Sequence, residues 1–186
     1  MLYQVKDIFV KKDKMEAKKM KELLEKYYLK LSKLHKEKFN SAPTVPFFEK
    51  ADKDMIISEP DEDDYVEWKM MPVEDIDVSE FGLTEELKEL YTTYRYFHLV
   101  GRLDGYDLYF EPIYGDVKKI ISIIKSKGEY YKEGYFFLGT ADKDGNDDLI
   151  MLYKDGEILM YDTDLETSKK LNYTLSEVID KMEALF

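Results

Sequence analysis

Leu99-Val100-Gly101-Arg102-Leu103-Asp104-Gly105-Tyr106-Asp107-Leu108-Tyr109-Phe110 is the stretch on which the fold turns. Two short apolar runs flank Asp104-Gly105, a pair that accepts the positive φ angles a two-residue hairpin requires. The stretch therefore predicts two antiparallel strands, where the chain before it carries helical spacing. Downstream, Tyr135 to Leu138, Leu149 to Tyr153 and Glu157 to Tyr161 read as three more strands. Their turns, Asp144-Gly145-Asn146 and Asp155-Gly156, carry the same chemistry. Consecutive strands joined by tight turns pair antiparallel.

Helices surround this core of strands. Met20, Leu23, Leu24, Tyr27, Leu31 and Leu34 recur at helical spacing between Met15 and Phe39, with lysines on the opposite face. Asn40-Ser41-Ala42-Pro43 stops that helix. Met1 to Val10 reads as a short strand or a disordered lead-in. Tyr65-Val66-Glu67-Trp68 alternates like a strand and holds the one tryptophan. Thr84 caps a helix running to Phe97, and Asp116 caps another from Val117 to Lys127, ended by Gly128. Thr174 and Glu177 form a capping box for a last helix, whose apolar face is Val178, Ile179, Met182 and Leu185. The fold class expected is α+β: a mainly antiparallel sheet of five or six strands with helices packed around it. Residues 1–186 are expected to form one domain with a long basic N-terminal helix at 15–39.

Charge is divided along the chain. Residues 1–38 hold twelve lysines and six acids, a net of +6. Residues 39–186 hold sixteen basic residues and thirty-four acids, a net of −18. Such a body repels nucleic acid, whose phosphates need basic surface, and attracts basic proteins. The chain has no cysteine, which excludes disulfides and thiolate chemistry and suits a reducing compartment. No stretch approaches the ~20 apolar residues of a membrane span, and the start lacks the pattern of a signal peptide. A cytoplasmic protein with no stable membrane insertion is expected.

Residues suited to catalysis are few. His35 lies near a helix end, where a cation is favoured, and His98 lies where a helix hands over to a strand; both read as structural. No nucleophile elbow, phosphate loop or HExxH motif occurs, and no cofactor is implied. The acid-rich segment Asp142-Lys143-Asp144-Gly145-Asn146-Asp147-Asp148 offers oxygen ligands for a metal-dependent enzyme. Its EF-hand register fails, because Gly145 in sixth place puts Met151 where a bidentate Glu is required. A solvated hairpin loop fits better. The run Glu59 to Glu67 packs six acids into nine residues. It reads either as a solvated loop whose charges keep the protein soluble or as a docking surface for a basic partner, with Asp61, Asp63, Asp64 and Glu67 as charges. Trp68 and Tyr65 are candidate aromatic anchors, although Trp68 facing the core is the more economical arrangement. Asp147 and Asp148 are secondary candidates if their loop lies near the same face.

The order of elements and several strings resemble the SUKH superfamily of bacterial immunity proteins, and within it the Syd-like branch. The long first helix followed by Tyr65-Val66-Glu67-Trp68-Lys69 resembles that branch's helix and tryptophan strand. Glu85 to Tyr94 resembles the helix leading into a glycine-containing strand, here with Gly101. Phe137-Leu138-Gly139-Thr140, Gly145-Asn146-Asp147-Asp148-Leu149-Ile150 and Asp155-Gly156-Glu157-Ile158 resemble the family's strands and turns. The resemblance implies a non-enzymatic protein that neutralises a toxin domain, often a nuclease, by stoichiometric binding. It also implies an alternative: a peripheral regulator bound to basic loops of the protein-translocation channel.

Overall fold

The computed structural model describes the backbone of residues 2–186 and the side chains from Met20 onward. Helix α1 runs from Leu2 to Phe39, about 57 Å at 1.5 Å per residue. It begins at Leu2 and not at Met15, so the expected strand or disordered lead-in is helical instead; Met1 lies outside the described residues. Strands β1 (Thr44–Pro46) and β2 (Tyr65–Glu67) form a small antiparallel sheet. Strand β3 (Met71–Pro72), a 3-10 turn (Ser79–Phe81), α2 (Glu85–Thr93) and β4 (Tyr94–Arg95) follow, with β3 paired to β4. The pairing ends α2 four residues before Phe97, the end helical spacing predicts, because Tyr94 and Arg95 turn to extended backbone.

Next come β5 (Val100–Leu103), β6 (Tyr106–Phe110) and α3 (Val117–Tyr131). Strands β7 (Phe136–Lys143), β8 (Asn146–Lys154), β9 (Glu157–Asp162) and β10 (Thr167–Leu171) complete a meander. Helix α4 (Leu175–Lys181) and β11 (Glu183–Ala184) close the chain. The main sheet has seven strands in the order β10-β9-β8-β7-β6-β5-β11, every pair antiparallel. The fold is thus α+β, and its main sheet has two more strands, β10 and β11, than the five the hydrophobic pattern reveals there. Strand β10 is polar and exposed at four of its five positions, as an edge strand can be. Strand β11 forms because the last helix stops at Lys181 and Met182 turns to extended backbone.

All three Asp-Gly pairs make the turns expected of them. Asp104 and Gly105, Asp144 and Gly145, and Asp155 and Gly156 all carry positive φ. The Thr174–Glu177 capping box forms in full. Gly128 departs from its expected role: it lies inside α3, buried, where a Cβ would overlap the Tyr135 carbonyl oxygen. It is a glycine of close approach and not a helix stop.

One core joins α1 through Met20, Leu24, Tyr27 and Leu31 to Leu108, Met151 and Ile158 of the sheet, and to Leu87, Ile121 and Val178 of the other helices. A smaller cluster of Phe137, Ile150, Leu152 and Leu159 fills the reverse face. Burial on both faces explains the unbroken apolar run Leu149–Tyr153.

Helix α1 is locked to β5 by a reciprocal bond. The Tyr27 hydroxyl donates to the Val100 carbonyl at 3.0 Å and accepts the Val100 N–H at 2.9 Å. At the other end of the same contact His98 Nε2 meets the Leu185 carbonyl at 3.3 Å, and His35 is buried between Phe39 and Phe186. Neither histidine is a helix cap or a solvent-facing base; both hold the C-terminal segment.

Tyr27→Phe removes one hydroxyl and leaves the buried Val100 N–H unpaired, while the Val100 carbonyl keeps the Leu185 N–H at 3.1 Å. It should lower stability by about 2 kcal/mol in urea unfolding. Burial pushes the imidazoles of His98 and His35 below their ordinary range. The unfolded chain therefore takes up these protons first, near pH ~6.5. The stability involved is complete above that pH and is lost as pH falls toward the folded values. Thermal melting should drop between pH 7 and pH 5, and less in His98→Gln.

Candidate protein-docking face

The small sheet carries an alternation with period two. Val45, Val66 and Trp68 point inward and are buried, while Tyr65 and Glu67 point out. Trp68 has no exposed surface; it packs on Tyr28 and Phe97, and the Tyr28 hydroxyl donates to its carbonyl at 2.8 Å. As a partner contact it is therefore withdrawn. Its large apolar area is worth more in the core than at a surface.

Between the paired strands, residues 61–64 form the tip of the sheet. Asp61 accepts the N–H groups of Asp63 at 3.0 Å and Tyr65 at 2.8 Å, and Asp64 sits at φ +60°. The Asp64 carbonyl takes the N–H of Phe47 at 2.7 Å. Asp61 is thus committed to the turn, and Glu62, Asp63 and Asp64 face solvent. Among the described residues no cation pairs with Glu59, Glu62, Asp63, Asp64 or Glu67.

Beside this tip opens a cleft of about 740 Å³, with Phe47, Phe48, Ile56, Ile57, Pro60 and Val66 in its walls and Glu49, Lys53 and Glu59 among its polar residues. Phe47 is 45% exposed, Ile57 47% and Tyr65, on the outer face of the small sheet, 42%. Apolar exposure of this size next to unpaired acids marks a surface suited to contact. The cleft is held firmly. Phe48 packs edge-on against Phe97 and also meets Tyr114. The Arg95 guanidinium bonds Asp52 at 2.9 Å and also Asp54, and Asp52 accepts the Gly115 N–H at 2.6 Å. Phe47 and Ile57 escaped the sequence reading. The signal available was the apolar strings Pro46-Phe47-Phe48 and Met55-Ile56-Ile57 inside an otherwise irregular segment.

Asp147 and Asp148 lie elsewhere. The register Asp107↔Asp142 puts the β7–β8 turn at the end of the sheet where β6 begins. The small sheet's neighbours, Tyr114 and Gly115, follow the opposite end of β6. The two acidic groups therefore do not share a face, contrary to the expectation that joined them. The segment 142–148 is also less of a loop than it reads, since only Asp144 and Gly145 separate the strands. Asp148 is exposed, and its carboxyl is held above its ordinary range chiefly by the charge of Asp164, then by desolvation and by Asp147 and Asp162. Among the described residues no group of three or more acids or histidines is placed to hold a metal ion, and none of the described helices is long and apolar enough to cross a membrane.

No family model and no curated protein matches the chain.

The division of labour within the tip can be measured. Asp61→Ala should speed hydrogen exchange at the Asp63 and Tyr65 amides about tenfold, whereas Asp63→Ala should leave both unchanged. Trp68→Ala should cost roughly 3–5 kcal/mol of stability, as buried aromatics do.

Proposed function

We propose that this protein is a non-catalytic binding module that neutralises a basic partner by covering it, in the manner of an immunity protein against a toxin domain. The observation that carries the reading is the juxtaposition at the small sheet: Glu62, Asp63, Asp64 and Glu67, paired with no cation among the described residues, beside exposed Phe47, Ile57 and Tyr65. Acids draw a cationic protein in, and exposed apolar side chains hold it once water is expelled. The charge of −18 on residues 39–186 extends the attraction beyond the contact itself. A nuclease domain is the fitting toxin class, since its substrate-binding surface is basic and an array of carboxylates can occupy the place of phosphates. The resemblance of the tryptophan strand and the Asp-Gly hairpins to SUKH immunity proteins supports the same partner class.

The partner is most directly sought as the product of the neighbouring gene, co-expressed and tested for 1:1 binding with loss of its toxicity. Glu62→Lys, Asp63→Lys and Glu67→Lys combined should weaken that binding about 100-fold, mainly by slowing association, and flatten its dependence on salt. Asp64 is better changed to Asn, which tolerates its left-handed backbone. A charge-reversed variant that protects as well as the parent protein overturns the proposal.

A further inference from the structure

The cleft beside the acidic tip has a shape and a charge that together specify what enters it. Its walls are apolar at Phe47, Ile56, Ile57, Pro60 and Val66, and the adjoining tip is acidic. Residues 47–67 contain nine acids and two lysines. Arg95 binds two of those acids, Asp52 and Asp54, and offsets one of their two charges; the other seven are Glu49 and the six from Glu59 to Glu67. A purely cationic ligand would leave the apolar walls wet. A purely apolar one would gain nothing from the carboxylates.

We infer that the cleft receives a single apolar side chain of the partner, presented on a segment in which lysines or arginines flank it. The inference rests on the reading above and names the part of the partner that is recognised. Anionic ligands, whether phosphate, nucleic acid or acidic lipid, are repelled by the same rim. A second copy of this chain carries a net charge of −12 and is repelled as a whole. A basic segment with one apolar residue suits both features: its flanking cations meet Glu59, Asp63 and Asp64, and its apolar side chain displaces water between Phe47 and Ile57. The cleft is ready for it, because Phe48 and the Arg95 clamp fix its base before anything binds.

The test uses the whole chain and two labelled pentapeptides, Arg-Lys-Leu-Lys-Arg and Arg-Lys-Ser-Lys-Arg, with capped ends, read by fluorescence anisotropy. The leucine peptide should bind about tenfold more tightly. Ile57→Ser, at an exposed position that leaves folding intact by circular dichroism, should erase the difference while both peptides keep their salt-dependent attraction. Backbone amide shifts should centre on Ile57 and Val66. Equal binding of the two peptides, or a difference that survives Ile57→Ser, overturns the inference and leaves the acidic docking face standing. Binding of the whole basic partner with no effect of Ile57→Ser or Phe47→Ser does the same. If neither peptide nor any cationic protein binds, the parent reading fails with it. Concentration-dependent dimers lost in Ile57→Ser would assign the cleft to a second copy of the chain and overturn it too.

Discussion

Four consecutive residues of α1 hold the molecule together. Glu25 accepts the Tyr94 hydroxyl at 2.6 Å, Lys26 pairs with Asp180 at 2.6 Å, Tyr27 exchanges two bonds with Val100, and Tyr28 donates to the Trp68 carbonyl. Successive residues on a helix point about 100° apart, so four in a row reach β4, α4, β5 and the end of the small sheet in turn. This turn of the helix is therefore tied to four elements, with Tyr27 buried and Lys26 at the surface. The Tyr27 and Tyr94 hydroxyls stay protonated at all ordinary pH: burial, joined by the Glu25 bond and charge, pushes Tyr94 up to about 12, and burial raises Tyr27 further. Both hydroxyls therefore keep the proton they donate across the ordinary pH range.

The docking face depends on that tie. The small sheet has only three residues in each strand, too little to persist alone. It is carried by Trp68, whose ring lies between Tyr28 of α1 and Phe97 of the chain entering β5. Inward burial of Val66 and Trp68 forces Tyr65 and Glu67 outward, because side chains alternate along a strand. The residue that would make the best anchor at an interface is consumed by the core, and the exposure of Tyr65, Phe47 and Ile57 follows from where the core ends.

How much of this could be read in advance varies with the range of the interaction. The Asp-Gly hairpins and the Thr174 capping box are local, with every partner within a few residues, and all of them form as read. Strand β10 was not legible because Thr167-Ser168-Lys169-Lys170 has no apolar alternation; it is a strand only because β9 offers it an edge. Gly128 and β11 misled for the same reason. A glycine near a helix end and an apolar residue at helical spacing are ambiguous until the packing neighbour is known. At the candidate face, the acidic run was plain, yet the commitment of Asp61 to two backbone amides came from the geometry of its turn, and the separation of Asp147 and Asp148 from the rest came from register.

The sequence by itself determined the periodicities, the turn chemistry and the unequal division of charge, since these are properties of neighbouring residues and of sums. It therefore determined the α+β class and the acidity of the body. Tertiary structure alone decided which acids remain unpaired, which aromatic is buried and where apolar surface is left beside charge. Those outcomes depend on contacts between residues far apart in the chain, such as Tyr28 with Trp68 and Arg95 with Asp52. No local pattern records them, because the free energy that selects them arises only when the elements meet.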